Sequence, residues 1–173
     1  MTKTVITFLV MFIILVLAQA VVFNHLTLWG VAIPLVFIYW ILSLPVTTDS
    51  ILMLSLSFIM GLTVDVFSDT PGQNALACTI LAGVRKPVFR LYFPREEDLT
   101  NPEPSSVSLG PAVYMKYVIT LTALYCTIFF LIESFTFFNL WRLVLQIVCS
   151  TILTFILILA LDSITHITRE KRL

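Results

Sequence analysis

What this chain has least of is charge. Of its 173 residues only 12% are charged while 59% are hydrophobic, and ten Lys/Arg balance ten Asp/Glu. A soluble domain is about a quarter charged, because it must present a wet surface; these figures exclude one. The hydrophobic content excludes disorder, and the absence of net positive charge excludes a nucleic-acid binder facing a phosphate backbone. Histidine and cysteine are equally sparse, with two and three copies. No C-x-x-C pair, H-E-x-x-H helix, G-x-S-x-G elbow or phosphate-cradling glycine loop is present. What remains is an all-α, polytopic membrane protein. A helical span needs about 20 residues, so six spans would nearly fill the chain and leave no room for a soluble catalytic domain.

Five apolar runs are evident: Val5 to Phe23, Leu28 to Val46, Ile51 to Val64, Tyr117 to Ile132 (extended by Ala112 to Lys116), and Leu143 to Leu161. A sixth, Gln73 to Phe93, has an apolar part of only Ala75 to Val84 before Arg85 and Lys86, so by length alone it is either a span or a re-entrant segment. Charge placement decides for a span. With six crossings and a cytoplasmic N-terminus, Lys3, Arg85, Lys86, Arg90, Arg95, Lys116, Arg169, Lys171 and Arg172 fall inside and only Arg142 outside, a positive-inside pattern. The expectation is therefore six transmembrane helices over residues 4–23, 28–46, 51–67, 73–93, 112–133 and 142–163, with both ends cytoplasmic. Arg85 and Lys86 are expected to snorkel toward the inner headgroups. Lys3 followed by an apolar run and Ala18-Gln19-Ala20 also has the outline of a cleavable signal peptide, but the run continues through Phe23, which favours a retained helix. Residues 94–111 hold four of the eight prolines and the cluster Glu96, Glu97, Asp98, a composition expected to form a flexible cytoplasmic loop.

Little chemistry is on offer. Cys78, Cys126 and Cys149 each lie in an apolar run and read as packing residues. His25 and His166 fall on opposite sides of the bilayer and cannot share a metal. Apart from Arg85 no charge is expected near the midplane, which lowers a proton- or ion-coupled carrier. Gln19 and Gln146 are placed either to bond across a helix interface or to satisfy themselves within the bundle. No catalytic residue, metal or cofactor is expected.

The most informative stretch runs from Ser57 to Ala82. Ser57, Gly61 and Asp65 recur every four residues, a small-residue stripe along which another backbone can approach closely; Ala75, Cys78 and Ala82 repeat the pattern. Between the stripes Asp65 to Asn74 turns the chain, with Pro71-Gly72 as the breaker pair and Asp69 suited to the turn. Asp65 and Asp69 either pair with Arg142 or are hydrated at the interface.

At this stretch the chain resembles the MreD family, the small integral-membrane component of the bacterial rod-shape machinery, or elongasome. The pattern is Gly61-Leu62-x-x-Asp65-x-x-Ser68-x-x-Pro71-Gly72-x-Asn74-Ala75, preceded by Gln19 late in the first span and Pro34 in the second. Many members carry an acid directly after that proline where this chain has Leu35, so any role of that acid does not carry over. The resemblance implies a non-enzymatic inner-membrane scaffold that binds MreC, a bitopic protein, and through it the MreB cytoskeleton, RodA and a penicillin-binding transpeptidase, supporting peptidoglycan synthesis and cell shape. It also implies a fold like the substrate-binding component of energy-coupling-factor transporters. That keeps a rival function open, a substrate-binding subunit for a small, vitamin-type molecule. Gln19, Pro34, Ser57, Gly61, Asp65, Asp69, Pro71, Gly72, Asn74 and Arg142 are the residues expected to matter for helix packing or interaction.

Overall fold

Apolar runs free of internal proline form long helices. The computed structural model describes residues 2–22, 32–93, 104–134 and 140–170. Seven helices lie among them: α1 (Thr2–Val21), α2 (Ile38–Ser43), α3 (Ser50–Ser68), α4 (Gln73–Tyr92), α5 (Ser106–Leu109), α6 (Pro111–Glu133) and α7 (Leu140–Glu170). Ser50–Ser68, Pro111–Glu133 and Leu140–Thr165 are long and apolar enough to cross a membrane, and Val5–Val21 forms a shorter apolar helix. The bundle is built with its apolar residues outward. Ile6, Ile13, Phe58, Val66, Val148 and Ile156 are exposed, whereas Gln19, Asp65, Asn74, Arg85, Thr154 and Asp162 are buried. Water would not tolerate that distribution and lipid would, so the chain is a membrane protein.

Helix α6 lies between α4 and α7, α3 packs on α4, and α1 leans on α2 and α3. Tyr114, Tyr117, Tyr125 and Phe130 of α6 fill the interior. Edge-to-face pairs link Tyr117 to Phe89 at 5.8 Å and Tyr125 to Phe37 at 5.9 Å, geometries that add to simple burial.

The expected helix over 28–46 is not formed as such. Residues 23–31 lie outside the described residues, and of 32–46 only Ile38–Ser43 is α-helical. Two prolines account for this. Pro34 lacks an N–H and biases Ile33 away from the helical region; Pro45 does the same to Leu44, whose ψ is 143°. The helix therefore fits between them. It starts in a tight turn, with the N–H of Tyr39 donating to Val36 O at 3.0 Å and that of Trp40 to Phe37 O at 3.1 Å.

The connection over 94–111 also differs in part from expectation. Residues 94–103 lie outside the described residues, but Pro104 to Pro111 is ordered: Ser105 and Leu109 are buried and α5 packs on α6. The anchor is Asp162 of α7, whose Oδ2 accepts from the Ser106 hydroxyl at 2.5 Å and the Ser106 N–H at 3.3 Å. Composition favours mobile chain only where no such partner exists, and this partner lies 56 residues away.

Candidate functional site

Helix α3 ends because Asp69 takes a left-handed conformation with φ 58°. Its N–H and that of Thr70 both return to Asp65 O, the second as the six-to-one bond of a Schellman-type cap. Gly72, at φ 77°, then reverses the chain into α4 at little conformational cost. The Asp65 side chain spans the gap. Its Oδ1 accepts from the Asn74 N–H, the Asn74 amide and the Thr70 hydroxyl at 2.9, 2.9 and 2.6 Å, and its Oδ2 from the Ala75 N–H at 2.9 Å. One carboxylate thus serves two of the four N–H groups left open at the start of α4, where a negative group also suits the helix dipole. Asn74 passes the order on: its Oδ1 accepts from the Tyr125 hydroxyl at 2.6 Å, tying the corner to α6.

Gly61 makes the corner possible. A Cβ there would sit 2.5 Å from Asn74 O and 2.6 Å from Ala75 Cα, both main-chain atoms that cannot swing aside. The Ser57/Gly61/Asp65 stripe accordingly faces α4 of the same chain. Pro71 sits exposed on the turn.

A second network holds the unwound segment. In lipid, non-helical backbone persists only where protein satisfies it. Gln19 of α1 donates from Nε2 to Pro34 O at 3.0 Å and accepts from the Val36 N–H at 3.1 Å, so its amide pairs with main chain as a neighbouring strand would. Ser150 and Thr154 of α7 accept from the N–H groups of Ile33 and Leu35, each at 3.0 Å. The indole of Trp40 donates to Phe8 O at 2.8 Å. Gln19 is 1% exposed; of the two glutamines weighed above, it is the one that bonds across an interface.

Arg85 does not snorkel. It is 2% exposed and points across the bundle, donating from Nη2 to Leu42 O at 3.1 Å and to Leu44 O, and from Nε to the Tyr117 hydroxyl at 2.9 Å. It thereby occupies the carbonyls freed where α2 stops at Pro45. Lys86 reaches the next turn, where Thr48 O accepts at 2.6 Å. No carboxylate joins Arg85 among the described residues, so carbonyl dipoles and a phenol offset the cost of burying this cation.

Of the two alternatives for Asp65, Asp69 and Arg142, pairing is not seen, and hydration fits the exposed Asp69 and Arg142 but not the buried Asp65. Arg142 is exposed and forms no ion pair with Asp65 or Asp69; Asp65 is consumed by Thr70, Asn74 and Ala75, and Asp69 is exposed on the turn. Cys78 and Cys126 are buried and Cys149 is exposed, and among the described residues no His/Cys/Asp/Glu group is placed to hold a metal.

Between the unwound segment and the α3–α4 corner lies a cavity of about 310 Å³. Ile33 and Leu35 wall one side, Thr70 and Asn74 the other, and Phe129 and Glu133 at the end of α6 also line it. Sequence reasoning assembled the corner and Gln19, but missed Tyr125, Ser150, Thr154 and Glu133. Small hydroxyls in apolar helices carry no period that marks them; the pair Pro34 and Pro45 is the signal that acceptors and donors would be needed nearby. Comparison with family models, with curated proteins and with solved structures finds no match to this chain.

Proposed function

We propose that this chain is a non-enzymatic scaffold of the MreD type in the bacterial inner membrane, binding an MreC-type bitopic protein and through it MreB, RodA and a penicillin-binding transpeptidase. In this reading it crosses the membrane six times with both ends cytoplasmic, the unwound segment counting as the second crossing. The observation that carries the proposal is the corner itself. Gly61, Asp65, Gly72 and Asn74, the residues on which the resemblance rests, each have a structural task there, as do Gln19 and Pro34 in the second network. A rigid bundle with polar groups turned inward leaves an apolar exterior, and partner helices associate with such a face by close packing. The test is depletion of the chain in its host, which this reading expects to be rod-shaped. The proposal expects cells to round up and to recover when the chain is restored; unchanged rods would count against it.

A second reading, the substrate-binding subunit of a small-molecule transporter, is supported by the cavity. Its volume lies at the lower end of the range for small-molecule sites, about 300–1,000 Å³. An unwound transmembrane segment alongside a cavity is also how many transporters build their binding sites.

A further inference from the structure

We propose that Asp162 joins two short helices into one switch, so that undocking α5 at one end of the bundle loosens α2 and the unwound segment that walls the cavity. The two carboxylate oxygens serve different elements. Oδ2 accepts from the Ser106 hydroxyl and N–H of α5, and Oδ1 accepts from the Tyr39 hydroxyl of α2 at 3.4 Å. Ser150, Thr154, Ile158 and Asp162 recur every four residues and are all buried, which places them on one face of α7. That face grips a single stretch of chain at two levels. Thr154 holds the Leu35 N–H, and Asp162, eight residues further along, holds Tyr39, a separation of about 12 Å along the helix axis. The second grip is the one shared with α5.

Neither short helix stands by itself. With six residues in α2 and four in α5, each closes too few internal hydrogen bonds to repay its own ordering. Helix α2 depends on side-chain ties: Asp162 at Tyr39, Phe8 O at Trp40, and Arg85 at the carbonyls of Leu42 and Leu44. Helix α5 depends on Asp162 and on the burial of Pro104, Ser105 and Leu109. When α5 lifts away, Oδ2 loses two donors and the vacated place admits water. A carboxylate is better solvated by water than by one phenol in an apolar surround, so it turns toward the opening. The bond to Tyr39, already long for a hydroxyl donor, is the one that yields. Upstream of Tyr39 the same stretch supplies Ile33 and Leu35 to the cavity wall. A partner that draws α5 off the bundle therefore acts on the cavity from its far end, and this coupling is independent of both functional readings above.

The test is amide hydrogen exchange, read by mass spectrometry on the full chain in nanodiscs of zwitterionic lipid, for the parent, S106A, Y39F and the double variant, each checked for folding by circular dichroism. S106A should speed exchange over residues 104–110 about fivefold, the loss of one hydrogen bond expressed as a local opening equilibrium. It should also speed exchange over 38–43 by about threefold, although the substitution lies on another element. Y39F should speed exchange over 38–43 directly, and adding S106A to it should bring no further increase there, because the tie through Asp162 is already cut. Faster exchange over 104–110 with 38–43 unchanged would overturn the coupling and reduce α5 to a simple lid. A rise over 38–43 that S106A adds equally in the Y39F background would show that the route does not pass through Asp162. No change in either segment with S106A would overturn the switch at its first contact.

Discussion

Removing the Asp65 carboxylate should open the α3–α4 corner, and its contacts set the size of the effect. Asp65→Ala strands the N–H groups of Asn74 and Ala75, both buried, along with the Asn74 amide and the Thr70 hydroxyl. Side-chain groups can turn toward other partners, but a main-chain N–H at the start of a helix cannot. Each buried donor left unmade costs about 1–3 kcal/mol, so Asp65→Ala should lose roughly 2–6 kcal/mol of stability. Asp65→Asn is nearly isosteric and separates the two oxygens. Its carbonyl can still serve Asn74, while its amide faces the Ala75 N–H donor to donor, leaving one main-chain group stranded at about 1–3 kcal/mol. The assay is unfolding by dodecyl sulfate in mixed micelles, followed by far-ultraviolet circular dichroism. The expected order of stability is parent, then Asp65→Asn, then Asp65→Ala. An Asp65→Ala protein within about 0.5 kcal/mol of the parent, the scatter of ordinary surface changes, would refute the capping role.

Other substitutions probe the remaining contacts in the same assay. Gly61→Ala should destabilise strongly, because its Cβ would meet main chain at 2.5 Å, whereas Ser57→Ala on the same stripe should leave stability unchanged or raise it, since the buried Ser57 hydroxyl has no partner among the described residues; a tolerated Gly61→Ala would show that the helices can part. Gln19→Leu strands Pro34 O and the Val36 N–H and should cost about 2–6 kcal/mol. Ser106→Ala removes the bond of the α5 hydroxyl to Asp162; global stability should change by no more than about 1 kcal/mol, while limited proteolysis within 104–110 should accelerate, and an unchanged cleavage rate would contradict the anchor.

The long helices were legible because an uncharged apolar run in lipid has little choice but to coil. The corner was legible too: a left-handed turn needs a residue such as Asp69 and a glycine such as Gly72, and small residues four apart announce close approach. What escaped, Gln19 apart, was the set of contacts that depends on distant partners. Composition marked the second run as one more span, and only Pro34 and Pro45 hinted that its backbone would need outside partners from Gln19, Ser150, Thr154 and Arg85. Arg85 read as a snorkelling cation for the same reason, since the carbonyls it serves belong to residues 41 and 43 positions away. Asp65 illustrates the converse. Its charge suggested either a partner in Arg142 or water, but the turn it sits beside brings two N–H groups within 2.9 Å, and these local donors occupy it.

The structural networks all point inward and leave the outer face apolar, so the central proposal stands or falls on whether that face holds a partner. Native mass spectrometry of this chain co-expressed with the MreC-type protein of its host, both released from the membrane in mild detergent, tests it most directly. A species at the summed mass of the two chains that survives removal of the micelle is expected. Detection of each protein alone, with no joint species across a range of detergents, would contradict it.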